Sequence, residues 1–246
     1  MIRVGVIGAA GRMGATVCNA VHADAELELV AAVDPQSPGA TIHGVTIASE
    51  LRALADAKVD VAVDFTVADA ARVTLPWLAM HSIHAVVGTT GFTAGDLDGF
   101  KKSFTNSNCL VAANFAIGAV LMMRFAEIAA PFFDTAEIVE IHHDAKADSP
   151  SGTAVATAQR MAAASSTWAQ DPTKHEAIPG ARGATGPGDI PIHALRMRGV
   201  GAQGQTLTIR HDTVERSSFM PGVVLACKKI SQHKGFTLGL DSFLGI

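Results

Sequence analysis

Apolar residues in the first half of the chain come in short, β-branched runs separated by longer stretches of helical composition. The runs are Arg3 to Ile7, Glu28 to Asp34, Val59 to Thr66, His84 to Gly88 and Cys109 to Phe115. Runs of this length and continuity predict strands that are apolar on both faces because helices cover them. Their alternation with helical segments predicts βαβ units, a parallel sheet and a doubly wound α/β fold.

Beyond Phe115 the pattern changes. A long apolar stretch from Ala116 to Phe133 predicts a helix, Ala136 to Ile141 alternates like a strand, and a further helix is expected from about Gly152 to Ser165. A Gly- and Pro-rich segment from Pro172 to Pro191 follows, predicted as a loop that either connects elements or covers a site. Two alternating runs, Ile192 to Arg198 and Gln205 to His211, have no obvious helix between them and so predict an antiparallel or mixed sheet in a second, α+β domain. Pro221 to His233 has a helical pattern with proline near its start. It is expected to return to the first domain, giving a first domain of residues 1–115 plus 220–246 and a second of 116–219.

Composition narrows the choices. In 246 residues, 48% are apolar, enough to fill a core without staples. The three cysteines, Cys18, Cys109 and Cys227, are widely separated, which argues against a disulfide framework and for a reducing, cytoplasmic setting. Arg124 and Glu127 interrupt the longest apolar stretch, so it reads as a core helix and not as a membrane span. The first residues resemble neither a signal peptide nor an anchor. A formal charge of −4, scattered basic residues and no tyrosine make nucleic acid an unexpected partner.

The first strand runs into Gly8-Ala9-Ala10-Gly11-Arg12-Met13-Gly14, a G-x-x-G-x-x-G variant of the dinucleotide fingerprint. Glycines there permit a tight turn and bring backbone N–H groups close to a pyrophosphate at the start of the next helix. Asp34 stands at the end of the second strand, where an acid binds a ribose hydroxyl pair. The first domain is therefore expected to be Rossmann-type. A carboxylate repels a 2′-phosphate, and Pro35-Gln36 offers no adjacent cation, so NADH is favoured; Arg12 within the turn leaves NADPH open. Gly88-Thr89-Thr90-Gly91 and Ala112-Ala113-Asn114-Phe115 end the fourth and fifth strands, where small residues, hydroxyls and an amide can border the nicotinamide and its ribose.

The stretch EIHHDAKADSPSGTA, residues 140–154, gathers His142, His143, Lys146 and a serine-capped helix start. Imidazoles, an ammonium group and helix N–H groups form an anion site, and beside a hydride donor they suit a reductase of a small dicarboxylate, with Lys146 or a histidine supplying a proton. Asp144 and Asp148 lack clean metal-ligand spacing relative to the histidines, and the lysine opposes a cation, so no metal is expected. No G-x-S-x-G elbow or Walker A sequence supports a hydrolase. Two other classes share the cofactor turn. A semialdehyde or sugar dehydrogenase is one, an activated cysteine marking the former, and a non-catalytic NAD-sensing protein is the other.

These segments resemble the 4-hydroxy-tetrahydrodipicolinate reductase (dihydrodipicolinate reductase) family of bacterial lysine and diaminopimelate biosynthesis. The resemblance rests on VGVIGAAGRMG at the start, DFT at 64–66, VVGTTGF at 86–92, AANFAIG at 112–118 and EIHHDAKADSPSGTA, in family order. TLTIRHDTVERSSFMPGV adds to it. It implies that Gly8, Ala9, Ala10, Gly11, Arg12, Met13, Asp34, Gly88, Thr89, Thr90, Ala112, Ala113, Asn114 and Phe115 bind the dinucleotide. It also implies His142 as catalytic proton donor or acceptor, Lys146 as proton donor, and His143, Gly152 and Thr153 as substrate-binding residues. The implied substrate is a cyclic unsaturated dicarboxylate and the implied assembly a homotetramer. Two departures stand out. Ala116 follows the Asn-Phe pair where the family often has serine, and MRGVGAQGQTLTIRHD is shorter than its counterparts, lacking most of a strand of the intersubunit sheet.

Overall fold

The structure is a computed structural model and describes residues 1–133, 136, 138–139, 151–165, 168–169, 173–178, 182–185, 191–193, 209–211 and 215–246. The chain divides into two compact units, residues 1–120 with 212–246, and residues 121–211.

The first unit follows the expected alternation. In chain order it contains β1 (Ile2–Ile7), α1 (Arg12–Ala23), β2 (Leu27–Val33), β3 (Thr41–Ile42), β4 (Val45–Ala48), α2 (Arg52–Asp56), β5 (Val61–Asp64), α3 (Ala68–Met80), β6 (His84–Val87), α4 (Ala94–Ser103) and β7 (Cys109–Val111). The strands pair in the order β7-β6-β5-β1-β2-β4, all parallel, with β3 added antiparallel to β4. From β1 the chain first builds outward through β2 and β4, then crosses back to add β5, β6 and β7 on the other side. That reversal places a crevice between β1 and β5 at the carboxyl ends of the strands. Val4, Val6, Val61, Val63, Ala85, Val86, Val87 and Leu110 are nearly or fully buried, as strands covered on both faces require.

Several strands stop earlier than their apolar runs. β2 ends at Val33 because Asp34 turns its carboxylate onto the Gln36 N–H, Oδ1 accepting at 3.0 Å. β5 ends at Asp64, whose Oδ1 accepts from the Thr66 N–H at 2.8 Å. After β7, Asn114 Oδ1 accepts from the Ala116 N–H at 2.8 Å. Each is an Asx turn, a side chain offering the backbone an alternative to the ladder. The expected strand through Phe115 is thereby corrected to Cys109–Val111.

The C-terminal return is larger than its helix. It comprises α7 (Met220–Lys229), β10 (Phe236–Leu238) and α8 (Asp241–Leu244), and β10 adds a parallel edge to β7. Asn108 fastens the return to the sheet by donating to the Ile230 carbonyl at 2.9 Å and accepting from the Gly235 N–H at 2.8 Å. Lys228 Nζ reaches Asp24 and Glu26, each at 2.8 Å.

The second unit holds most of α5 (Ile117–Ala129) and all of α6 (Gly152–Ala164). Arg124 and Glu127 pair on α5 at 2.8 Å, and Arg160 of α6 lies 3.8 Å from the other oxygen of Glu127, so the two charges that interrupt the apolar run are neutralised within the unit. The segment expected as a Gly- and Pro-rich loop instead contains β8 (Arg182–Thr185), paired antiparallel with β9 (Pro191–His193). Pairing across a hairpin overrides a composition that by itself reads as loop. Of the strands expected at 136–141, 192–198 and 205–211, most residues lie outside those described. Among the described residues, no helix is long and apolar enough to cross a membrane.

Candidate active site

The nucleotide half is built on the turn after β1. Gly8 has φ +74°, a left-handed conformation that a side chain would strain, and its N–H donates to the Val33 carbonyl at 2.8 Å. Gly14 lies buried one turn into α1, where an added Cβ would collide with the Gly8 carbonyl. Absence of that atom lets the helix start press against the strand end, the close packing a pyrophosphate cradle requires. The helix N-terminus, at Gly11, is capped by no side chain, and its first turn contains no acid. An anion there meets backbone N–H groups and the positive end of the helix without carboxylate repulsion. Ala10, Gly11 and Arg12 are exposed, Gly8 and Met13 partly so, and Ala9 is buried.

Asp34 is tied directly to this turn. Its Oδ2 accepts from the Ala10 N–H at 3.1 Å while Oδ1 holds Gln36. The residue is nearly buried, so the acid expected to face a ribose also braces the glycine turn across the end of β2. These residues fit a dinucleotide: a bare glycine cradle, an open helix start and an anchored acid stand together at the edge of the crevice.

The other predicted nucleotide residues occupy the same end of the sheet. Gly88-Thr89-Thr90 follows β6; Thr89 is buried, Thr90 is exposed, and the Thr89 hydroxyl donates to Asp64 at 3.3 Å. Behind this turn Arg72 grips both oxygens of Asp96 at 3.0 Å, and Asp96 closes a capping box with Thr93 at the start of α4. The Arg72 guanidinium, with the Thr93 N–H and hydroxyl, holds the Asp96 carboxyl well below the usual carboxylate range. Ala112-Ala113-Asn114-Phe115 follows β7, where the Ala112 N–H still donates to Val87 and the Phe115 ring is buried. The two glycines and the acid were legible as a spaced motif. The segment Asp64-Phe65-Thr66, which touches these turns, entered the sequence reading only as the DFT motif of the family resemblance and carried no assigned role there.

On the substrate side, His142, His143 and Lys146 lie outside the described residues. Gly152 and Thr153 begin α6, as expected, and Ser151 caps it, its Oγ accepting from the Ala154 N–H at 3.1 Å. Such a cap contributes about 1 kcal/mol to the helix.

The cysteines are unsuited to nucleophilic chemistry. All three are buried. Burial pushes the thiols of Cys18 and Cys227 up to about 12, and burial together with the nearby Asp64 charge raises that of Cys109 further. A thiolate-based dehydrogenase site is thereby disfavoured. No group of three or more His, Cys, Asp or Glu among the described residues is arranged to hold a metal ion.

The chain matches two family models, described as dihydrodipicolinate reductase, N-terminus, over residues 2–115, and dihydrodipicolinate reductase, C-terminus, over residues 118–244. It is 44% identical to the 4-hydroxy-tetrahydrodipicolinate reductase of Mycobacterium ulcerans and 45% identical to that of Corynebacterium urealyticum, with both chains covered completely in each case. The first alignment extends over 257 positions against 246 residues here, so that relative has residues this chain lacks. A solved structure, the dipicolinate-bound dihydrodipicolinate reductase from Paenisporosarcina sp. TG-14, superposes with a TM-score of 0.84 at 37% identity, covering 98% of this chain and 99% of that one.

Proposed function

We infer the division of labour in this site from one premise: the chain belongs to the dihydrodipicolinate reductase family. It is an NAD(P)H-dependent oxidoreductase of lysine and diaminopimelate biosynthesis, and its reaction is the reduction of 4-hydroxy-tetrahydrodipicolinate. The first unit holds the dinucleotide, through Gly8 to Met13 at the pyrophosphate, Asp34 at the adenosine ribose, and Gly88 to Thr90 with Ala112 to Phe115 toward the nicotinamide. When bound, the reduced nicotinamide supplies the hydride. The bond from the Ala10 N–H to Asp34 carries this reading, since it joins the phosphate turn to the ribose acid in one piece.

Asp34 favours NADH over NADPH, because its carboxylate repels a 2′-phosphate, while the exposed Arg12 leaves the phosphorylated cofactor usable. The second unit receives the substrate. His143, with the N–H groups of Gly152 and Thr153 at the positive end of α6, holds its carboxylates. Lys146 donates the proton that accompanies reduction, and His142 acts beside it as proton donor or acceptor. These cations also stabilise the negative charge that hydride addition pushes onto the conjugated imine and carboxylate. We place self-association in the second unit and propose a homotetramer; the exposed Phe125, Ile128 and Phe132 there support an apolar contact. Light scattering of the purified protein measures the subunit count.

Coupling the protein to a synthase that supplies the substrate, and following nicotinamide absorbance, tests the reading. Oxidation of NADH faster than NADPH is expected. Lys146→Ala is expected to lower kcat by about 100-fold or more while leaving the KM for NADH nearly unchanged. Unchanged turnover would remove Lys146 from the mechanism.

A further inference from the structure

Asp64-Phe65-Thr66 lies among the three turns assigned to the dinucleotide. Asp64 closes β5 and is completely buried. Its Oδ1 accepts the Thr66 N–H at 2.8 Å, the Thr66 hydroxyl at 2.6 Å and the Thr89 hydroxyl at 3.3 Å, and Oδ2 accepts the Thr74 hydroxyl of α3 at 2.6 Å. Its carbonyl accepts the Gly88 N–H at 2.9 Å. Among the described residues no cation pairs with this carboxylate. A charge buried on hydrogen bonds alone persists only when its acceptor positions are well satisfied, and here they are satisfied by hydroxyls from three separate segments.

The next two residues extend the contact. The Phe65 ring covers Gly88 so closely that a Cβ there would collide with it, and the ring centroid lies 5.6 Å from that of Phe115. The Thr66 methyl stands 2.9 Å from where a Cβ on Gly8 would be. One tripeptide therefore packs against the turn after β1, the turn after β6 and the turn after β7.

We propose that Asp64 is a positioning residue for the cofactor site. It reaches no ligand itself. By holding Thr66 and Thr89 on one oxygen it fixes the spacing between the Gly8 and Gly88 turns, so that their backbone groups are arranged before the dinucleotide arrives and little ordering is left to be done on binding. This inference rests on the reading of those turns as the dinucleotide site.

The test uses the full chain, with NADH titrations read by fluorescence and KM values for both substrates. Asp64→Asn preserves shape but removes the charge and replaces one acceptor oxygen with a donor, so a hydroxyl that donated there must turn and accept instead, and the shared hold on Thr66, Thr89 and Thr74 is weakened. It is expected to weaken NADH binding by at least about tenfold, while the KM for the dicarboxylate stays within about twofold. Thr66→Val, which keeps the methyl contact with Gly8 and removes the hydroxyl, should move NADH affinity in the same direction by a few fold and decides the matter if Asp64→Asn does not fold. Thr74→Val removes the bond on the helix side; it should lower the melting temperature with NADH affinity within about twofold of the wild type. A folded Asp64→Asn or Thr66→Val protein with unaltered NADH affinity overturns the proposal. So does a Thr74→Val protein that loses as much NADH affinity as Thr66→Val, since the bonds would then be stabilising only. If the wild-type protein itself binds neither NADH nor NADPH, the assignment of the turns fails instead.

Discussion

At the scale of the residue, Asp34 has one task that the structure shows and one that we propose. It accepts the Ala10 and Gln36 N–H groups as part of the fold, and in our reading its charge at the ribose favours NADH over NADPH. Asp34→Asn separates them, since the amide oxygen can keep one of the backbone bonds while the charge disappears. The ratio of kcat/KM for NADH over NADPH is expected to fall by about tenfold, because the repulsion of a 2′-phosphate is gone. A ratio that does not change would assign discrimination to another group. The position of this acid at the end of the second strand was legible in the sequence, next to the glycine turn whose Ala10 N–H it accepts. The bracing bond was not legible, since nothing in the order of residues says which backbone N–H will face a carboxylate.

At the scale of the element, β1, β2, β5, β6 and β7 were legible because each is a continuous apolar run long enough to be recognised against its surroundings. β3, β4 and β10 were not: Thr41–Ile42, Val45–Ala48 and Phe236–Leu238 are two, four and three residues long, and the pairing they make defines them more than their own composition does. β8 lies inside a Gly- and Pro-rich segment, and its pairing with β9, not its composition, defines it. Strand ends were misjudged wherever an Asp or Asn redirected the chain, a local hydrogen bond outweighing an apolar pattern.

The start of β6 illustrates how two elements are fastened. His84 Nδ1 accepts the Asn108 N–H at 2.9 Å, and burial of the ring lowers its pKa from the usual range. A group whose folded pKa is depressed stabilises the fold fully above its unfolded value, near 6.5 for histidine, and this stability is lost as pH falls below it. The melting temperature is therefore expected to decline between pH 7 and pH 5, and His84→Asn, which offers an uncharged acceptor, should flatten that part of the profile in differential scanning calorimetry. An equally steep decline in the variant would place the acid sensitivity elsewhere.

At the scale of the whole molecule, the nucleotide-binding unit is assembled from both ends of the chain, and the return is held by its own small core. Phe243 is completely buried and stacks on His233, centroid to centroid 3.9 Å, and Lys229 donates to the Phe243 carbonyl at 3.0 Å. Phe243→Ala is expected to cost about 3–5 kcal/mol of unfolding free energy, read by denaturant titration, although the residue belongs to none of the nucleotide turns. A loss below about 1 kcal/mol would mean that the return contributes little to the unit.

Attachment of β10 to β7 has a bearing on how the protein is made. While the ribosome is still translating the second unit, the nascent first unit has every strand except its last, and Cys109–Val111 presents an open row of backbone donors and acceptors. An unpaired edge of this kind invites pairing with other chains. Only when the final dozen residues emerge is that edge closed, so a prematurely terminated product carries nearly the whole nucleotide fold with its adhesive side uncovered. Such fragments are expected to aggregate more readily than the full chain, in which the three-residue β10 takes over the edge.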